Sequence, residues 1–473
     1  MRLGYNRAVT RVSIAVLAIL VCAPLGAQEQ LTKINVVALD RQGEPVTGLQ
    51  SADFQIQEDG KTRNIAFFHF TGDQPLQPVK PDSGESSNRG GVPPRATVIL
   101  IDLLSDRMLS GAIISDQLLR AFKNLESAEG LYLYFLTSGG ELFPIHPLPK
   151  PDSELPPAAS TPWTQNLAPQ LQNALKMLVG IKPVDDRDSK VRFDLTMHAL
   201  RELGAQMQLI TGRKNLVWVT RGLPLNGRSI SEQGIVDFTN PLRIVCEMLQ
   251  RAQIAVYPVG AMLASEDAQT LDEISSLTGG RKFGYGEVGE AVKQARMDSR
   301  ANYQIAFYSA AEKPDAKHHK LKVACNNKDV RLETVPGFYA LLNPAKPADL
   351  EQLALQLALH SPFDAAAIGL RASASPDPAA PKNTRFDIRI DPADLMWQVG
   401  PDKRTGKILL QLGASDPMAL AVNMTPDQYQ AALRDGILLH KSVPVGASVQ
   451  NVRVVVVDSQ LGDAGSVTVP IQH

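Results

Sequence analysis

The run NLVWVTRGLP (215–224) ends a stretch of strand-forming residues on Thr220, Arg221 and Gly222. In open α/β sheets, ligands bind where parallel strands hand over to their loops. A permanently charged guanidinium at that point can grip an acidic group, fill a vacancy, or sit there by accident.

Few other residues form a chemical pattern. DDRDSK (185–190) is acidic but lacks the spaced ligands, glycine and terminal glutamate of a calcium loop, and reads as a solvated turn. His318 and His319 are adjacent, and neighbours along a strand point to opposite faces, which is poor geometry for shared metal ligation. Ser138-Gly139-Gly140 and Thr278-Gly279-Gly280 lack the flanking pattern of a phosphate loop and read as turns. Neither HExxH nor GxSxG occurs. Trp163, Trp218 and Trp397 are too scattered to stack bases, and Trp218 lies in a strand pattern that predicts core. A noncatalytic protein is the expectation.

The elements that position these residues follow from periodicity. The 473 residues suffice for two or three domains. With 44% hydrophobic and 21% charged residues most of the chain should be globular. A net charge of −1 and a pI of about 6.7 argue against a nucleic-acid partner. Arg2, Arg7 and Arg11 precede the short apolar run VSIAVLAILVCAPLGA (12–27), which ends in small residues. That is the pattern of a secretory signal over 1–27, too short to span a bilayer. A retained anchor and lipid attachment at Cys22 are the alternatives. Export to the periplasm or the exterior is expected, with no integral membrane segment left after cleavage. Cys246 and Cys325 would remain, each read as a small buried hydrophobe, with a disulfide between them left open.

Residues 28–73 alternate at period two, and Asp59-Gly60 reads as a tight hairpin. Residues 74–94 are a Pro/Gly/Ser-rich linker. From 95 to 341 continuous apolar runs (ATVILIDLL, GLYLYFLTS, NLVWVT, IAVYPVGA, NYQIAFYS) alternate with helical segments. They predict an α/β unit with a doubly wound, mostly parallel sheet. Residues 350–473 hold six or seven short strands, the pattern of an immunoglobulin- or fibronectin-like sandwich.

The central unit resembles a von Willebrand factor type A domain, and the chain as a whole resembles the secreted VWFA-related proteins common in acidobacteria. The resemblance is carried by DRQGEPVTGLQSADFQIQEDGK (40–61), TGRKNLVWVTRGLP, IAVYPVGA, LTGGRKF and SRANYQIAFYS with its GFYA tail, in that order. It implies a Rossmann-like core flanked by β modules, with no established enzymatic activity.

It also implies a metal-ion-dependent adhesion site. In such a site Mg²⁺ is held by an Asp-x-Ser-x-Ser after the first strand, a threonine before a middle helix and an aspartate after the fourth strand. Asp102 matches the first aspartate. The serine positions fall on Leu104 and Asp106, with Ser105 offset by one. The threonine position falls near Asp194, with Thr196 less well aligned. The last aspartate is replaced by Arg221 in Thr220-Arg221-Gly222. Exchanging −1 for +1 about 6 Å from a divalent ion changes the Coulomb energy by roughly 11 kcal/mol at an effective dielectric of ~20. A degenerate site is therefore expected, with no cofactor and with Arg221 in a salt bridge to Asp102, extending to Asp106 or Asp194.

Two alternatives stand beside it. Asp102, Asp106 and Asp194 could form a nonstandard Mg²⁺ or Ca²⁺ site, or Arg221 could face outward to an acidic group on a partner. The expected partner-binding face comprises Ser105, Asp106, Asp194, Thr196, Thr220 and Arg221, in loops 103–111, 139–142, 187–194 and 221–234. The expected function is protein–protein interaction or adhesion. A metal-dependent adhesion protein is the alternative, and a periplasmic hydrolase built around Asp102 the remote one.

Overall fold

The computed structural model describes residues 31–72, 84–89, 95–104, 111–123, 129–155, 161–178, 188–210, 212–223, 225–260, 265–284, 286–309, 317–339 and 346–471. The expected signal segment, Ser105 and Asp106 lie outside them.

Strands β1 (Leu31–Leu39), β2 (Phe54–Glu58), β3 (Lys61–Arg63) and β4 (Ile65–Phe70) open the described chain. The expected hairpin is present: Glu58 pairs with Lys61, and Asp59 and Gly60 both have positive φ, 49° and 80°. A two-residue strand, β5 (Ser86–Ser87), follows.

The central unit runs β6 (Thr97–Asp102), α1 (Gly111–Lys123), β7 (Leu131–Leu136), β8 (Leu142–His146), α2 (Leu167–Leu178), α3 (Ser189–Met207) and β9 (Lys214–Thr220). It continues through a small hairpin, β10 (Asn226–Ser229) and β11 (Gly234–Asp237), then α4 (Thr239–Arg251), β12 (Ile254–Gly260), α5 (Ser265–Thr278) and α6 (Val288–Arg300). The sheet order is β12-β9-β6-β7-β8, with β6, β7, β9 and β12 parallel and β8 an antiparallel edge. Alternate residues explain why both faces are apolar. Leu100, Leu216 and Trp218 pack under α3, α4 and α5, whereas Ile99, Val217 and Val219 pack under α1, α2 and α6. Covered on both sides, these strands read as unbroken apolar runs.

One expected member of this sheet lies elsewhere. NYQIAFYS forms β13 (Asn302–Tyr308), which pairs antiparallel with β1 from Leu31↔Tyr308 to Val37↔Asn302, and with β4. After it come β14 (His318–Cys325), β15 (Arg331–Thr334) and β16 (Gly337–Tyr339). They complete two four-stranded sheets, β15-β1-β13-β4 and β16-β14-β2-β3. The N-terminal β segment is therefore half of a unit whose other half arrives some 230 residues later, and the α/β region is inserted between the halves. A boundary at 341 misplaces these strands. The physical reason is that β13 is buried along all but its last residue, and an apolar run does not say which sheet covers it.

The C-terminal unit contains α7 (Pro347–His360), β17 (Leu370–Pro376), β18 (Asn383–Ile390), β19 (Gln398–Val399), β20 (Arg404–Leu412), β21 (Met418–Met424), α8 (Pro426–Asp435), β22 (Ile437–Pro444), β23 (Asn451–Asp458) and β24 (Ala464–Pro470). Two sheets, β22-β18-β17-β5 and β19-β20-β23-β24 with β21 beside β20, enclose one core around Phe386, Ile388, Leu410 and Val454. Part of the expected linker thus belongs here. β5 pairs with β17, and the Asn88 amide donates to the carbonyls of Ala365 and Ile368 while its oxygen accepts from Leu370 N–H. Cys246 and Cys325 are both free thiols. No helix among the described residues is long and apolar enough to cross a membrane.

Candidate functional site

The parallel strands β6, β7, β9 and β12 end on one side of the sheet, where Asp102, Leu136, Thr220 and Gly260 stand in register or adjacent to it. Asp102 is fully buried. Its Oδ1 accepts from Leu104 N–H at 3.0 Å and its Oδ2 accepts from the Thr220 hydroxyl at 2.8 Å. Thr220 Oγ1 in turn accepts from Gly222 N–H at 3.1 Å. Gly222 has φ +106°, a turn that favours glycine.

The expected Asp102–Arg221 salt bridge is not what this geometry provides. Arg221 is exposed and makes no ion pair with any described residue. Thr220, the last residue of β9, turns its hydroxyl onto Asp102, and Arg221 lies in the bend that follows. Asp194 does not join Asp102 either. It lies on the exposed side of α3 and pairs with Lys190 at 2.6 Å, one helical turn away, which raises the Lys190 pKa. Thr196 is fully buried, and its hydroxyl donates to the Arg192 carbonyl of its own helix at 2.9 Å. Of the expected partner face, Thr220 and Thr196 are interior, Asp194 and Arg221 are exposed, and Ser105 and Asp106 lie outside the described residues.

A magnesium ion takes about six hard oxygen ligands in a near-octahedral shell. Among the described residues one carboxylate, Asp102, stands at this position, and Ser105 and Asp106, the other oxygen donors expected beside it, lie outside them. Leu104 offers no oxygen from its side chain. Of the alternative ion site at Asp102, Asp106 and Asp194, Asp194 is turned to Lys190 instead.

Two features escaped the sequence reading. Asp188, in the acidic stretch whose composition predicts a solvated turn, is 6% exposed and caps α3. Its Oδ1 accepts from the N–H groups of Lys190 and Val191, and its Oδ2 accepts from Ile230 N–H at 3.1 Å. One carboxylate thus ties the start of α3 to the β10–β11 hairpin. The second feature is that hairpin. Gly227 and Ser229 face inward, so Arg228 and its cross-strand partner Ile235 face solvent, with Ile230 beside them. Ile235 is 75% exposed and Ile230 49%. An aspartate just before an amphipathic helix was a legible cap signal. The hairpin has too few apolar residues to signal strands.

No family model matches the chain, and no curated protein sequence matches it. Among solved structures it is similar to the pilus adhesin SpaC of Lactobacillus rhamnosus GG, at 10% identity over 89% of this chain and 56% of that one, with a TM-score of 0.29. It is also similar to the human COPII-coat protein Sec24c, at 11% identity over 58% and 49%, with a TM-score of 0.27. A third is proximal thread matrix protein 1 of the mussel byssus with a zinc-occupied MIDAS motif, at 9% identity over 47% and 49%, with a TM-score of 0.26. The chain spans about half the length of each of these structures.

Proposed function

We propose that this chain is a secreted, noncatalytic interaction protein of the von Willebrand factor type A kind, which docks a protein partner on the upper loops of its central sheet without a metal ion. The observation that carries the reading is the closure of Asp102. Its carboxylate is buried and engaged by Thr220 and the Leu104 amide, which supports docking without an ion at that carboxylate. The β12-β9-β6-β7-β8 order with helices on both faces supports the type A arrangement, and the two-sheet C-terminal unit supports an immunoglobulin- or fibronectin-like module. Export rests on the N-terminal signal pattern.

In this reading, contact falls to exposed Arg221 after β9 and to Arg228, Ile230 and Ile235 of the β10–β11 hairpin, where Arg228 and Ile235 are cross-strand partners. Arginine and well-packed apolar anchors are the groups that carry interface energy. The matching partner surface combines carboxylates with an apolar ridge.

The test is capture of a partner from the host envelope fraction by the purified chain, with the partner then purified and titrated. Binding should persist in EDTA and weaken at least tenfold when Arg221 and Arg228 are both changed to glutamate, about 1.4 kcal/mol or more. Binding that collapses in EDTA and ignores the double reversal would overturn the reading.

A further inference from the structure

The turn between β2 and β3 lies against β14, far along the chain from the top of the central sheet, and gathers three metal-ligating side chains. Glu58, Asp59 and His319 each offer one donor atom, and these atoms lie within 4.8 Å of one another. His319 Nδ1 is 2.9 Å from Asp59 Oδ2 and 3.5 Å from Glu58 Oε1. Ligands around a tetrahedral zinc with bonds of about 2.0–2.1 Å stand roughly 3.3 Å apart. The two spacings fall on either side of that value. We propose that Glu58, Asp59 and His319 form a Zn²⁺ site, with water as the fourth ligand.

Each ligand is held in place by other groups. Glu58 is 1% exposed. Its Oε2 accepts from Arg63 Nε at 2.6 Å, and its Oε1 accepts from the Ser309 hydroxyl at 2.5 Å. Such outer partners orient a ligating carboxylate. Asp59, at φ +49°, turns back onto β14, where its Oδ1 accepts from Lys320 N–H at 2.9 Å and its Oδ2 faces the imidazole. The His319 ring stacks on Phe338 with centroids 5.3 Å apart and planes at 16°, which fixes the direction of Nδ1. A single imidazole proton serves one carboxylate at a time, whereas a dication between the three groups serves both.

One nitrogen with two oxygens suits zinc better than magnesium or calcium, which take oxygen ligands. His318 is turned to the other side, edge-on to Tyr339, and takes no part. The ion would join positions 260 apart in sequence and close the β unit that the α/β insertion splits.

The experiment strips the full chain with chelator and titrates it with zinc chloride, reading heat, stoichiometry by elemental analysis and melting temperature. One equivalent should bind and raise the melting temperature by mass action. His319→Ala and Asp59→Asn should each weaken binding at least tenfold, with Asp102→Ala binding zinc like wild type. X-ray absorption on the wild-type protein, which needs no variant to fold, should show one imidazole in a nitrogen/oxygen shell. No binding at about 0.1 mM zinc, binding that survives both substitutions, binding lost in His318→Ala instead, or a shell without imidazole would each overturn the proposal.

Discussion

Lys214 opens β9 at the lower end of the central sheet and is 4% exposed. Its Nζ donates to the Ile210 carbonyl at 2.9 Å. Burial, reinforced by the charge of Lys33 and partly opposed by Asp463, lowers its pKa from 10.5 to about 7. The folded protein therefore holds this proton less tightly than the unfolded chain. Between about pH 7 and pH 10.5 the unfolded state carries a proton that the folded state lacks, so this group makes stability rise with pH across that window. Below pH 7 both states are protonated and the full cost of the buried charge is present. The gap of about 3.5 pKa, at about 1.4 kcal/mol each, sets a ceiling of about 5 kcal/mol.

Lys214→Met keeps the apolar stem and removes the ammonium, while leaving one carbonyl without its donor at a cost of about 1 kcal/mol. The variant should be more stable than wild type by about 2–4 kcal/mol near pH 6.5, and slightly less stable near pH 10.5. Urea unfolding at both pH values, followed by the fluorescence of buried Trp218, measures the difference. A variant less stable than wild type at both pH values would refute the reasoning, because the ammonium would then be stabilising where it lies.

Thr220→Val preserves the β-branched shape but removes the hydroxyl that donates to Asp102, and should cost about 2–3 kcal/mol in urea unfolding. A cost below about 0.5 kcal/mol would mean that Asp102 is satisfied without it. Asp188→Ala removes the cap of α3 and should cost about 1–2 kcal/mol. It should also speed hydrogen exchange at the Ile230 amide, which Asp188 Oδ2 accepts in the folded protein. Unchanged exchange there would show that the hairpin is anchored by other contacts.

Much of the fold was legible because burial on both faces writes itself into composition. β6, β7, β9 and β12 are unbroken apolar runs for the reason that Leu216 and Val217 serve opposite layers. Asp59-Gly60 was legible because positive φ at two successive positions restricts residue choice. The assignment of β13 failed on the same logic that succeeded for β9. Both are buried runs, and local pattern carries no information about whether the next strand is β12 or β1. At the top of the sheet, residue types located Asp102 and Arg221 correctly at strand ends but not their pairing. Thr220, the last residue of β9, turns its hydroxyl onto Asp102, and Arg221 is exposed in the bend that follows. Glu58 and His319 were invisible as a pair since nothing local links residues on opposite sides of an insertion.

The way the units are joined bears on which face is available to a partner. Polar contacts between units cluster at the lower end of the central sheet. Arg281, after α5, pairs with Glu333 of β15 at 2.5 Å. The Ser361 hydroxyl donates to Leu209 at the end of α3, and His360 meets Asp152 at 2.9 Å. Lys33 of β1 pairs with Asp463 at 3.0 Å, close enough to Lys214 for both charges to act on it. β9 runs from Lys214 among these contacts to Thr220 at the other end, seven residues or about 20 Å at ~3.3 Å per residue. Two unit charges that far apart interact by only about 0.8 kcal/mol at an effective dielectric of ~20, so charge changes at the base act weakly on exposed Arg221. Substitutions at Lys214 should therefore move stability and leave partner affinity alone, while reversal of Arg221 should do the opposite. A Lys214→Met protein that bound the partner tenfold more weakly at full folding would show that base and top are coupled through the sheet, against the account of the upper loops as a separately accessible docking face.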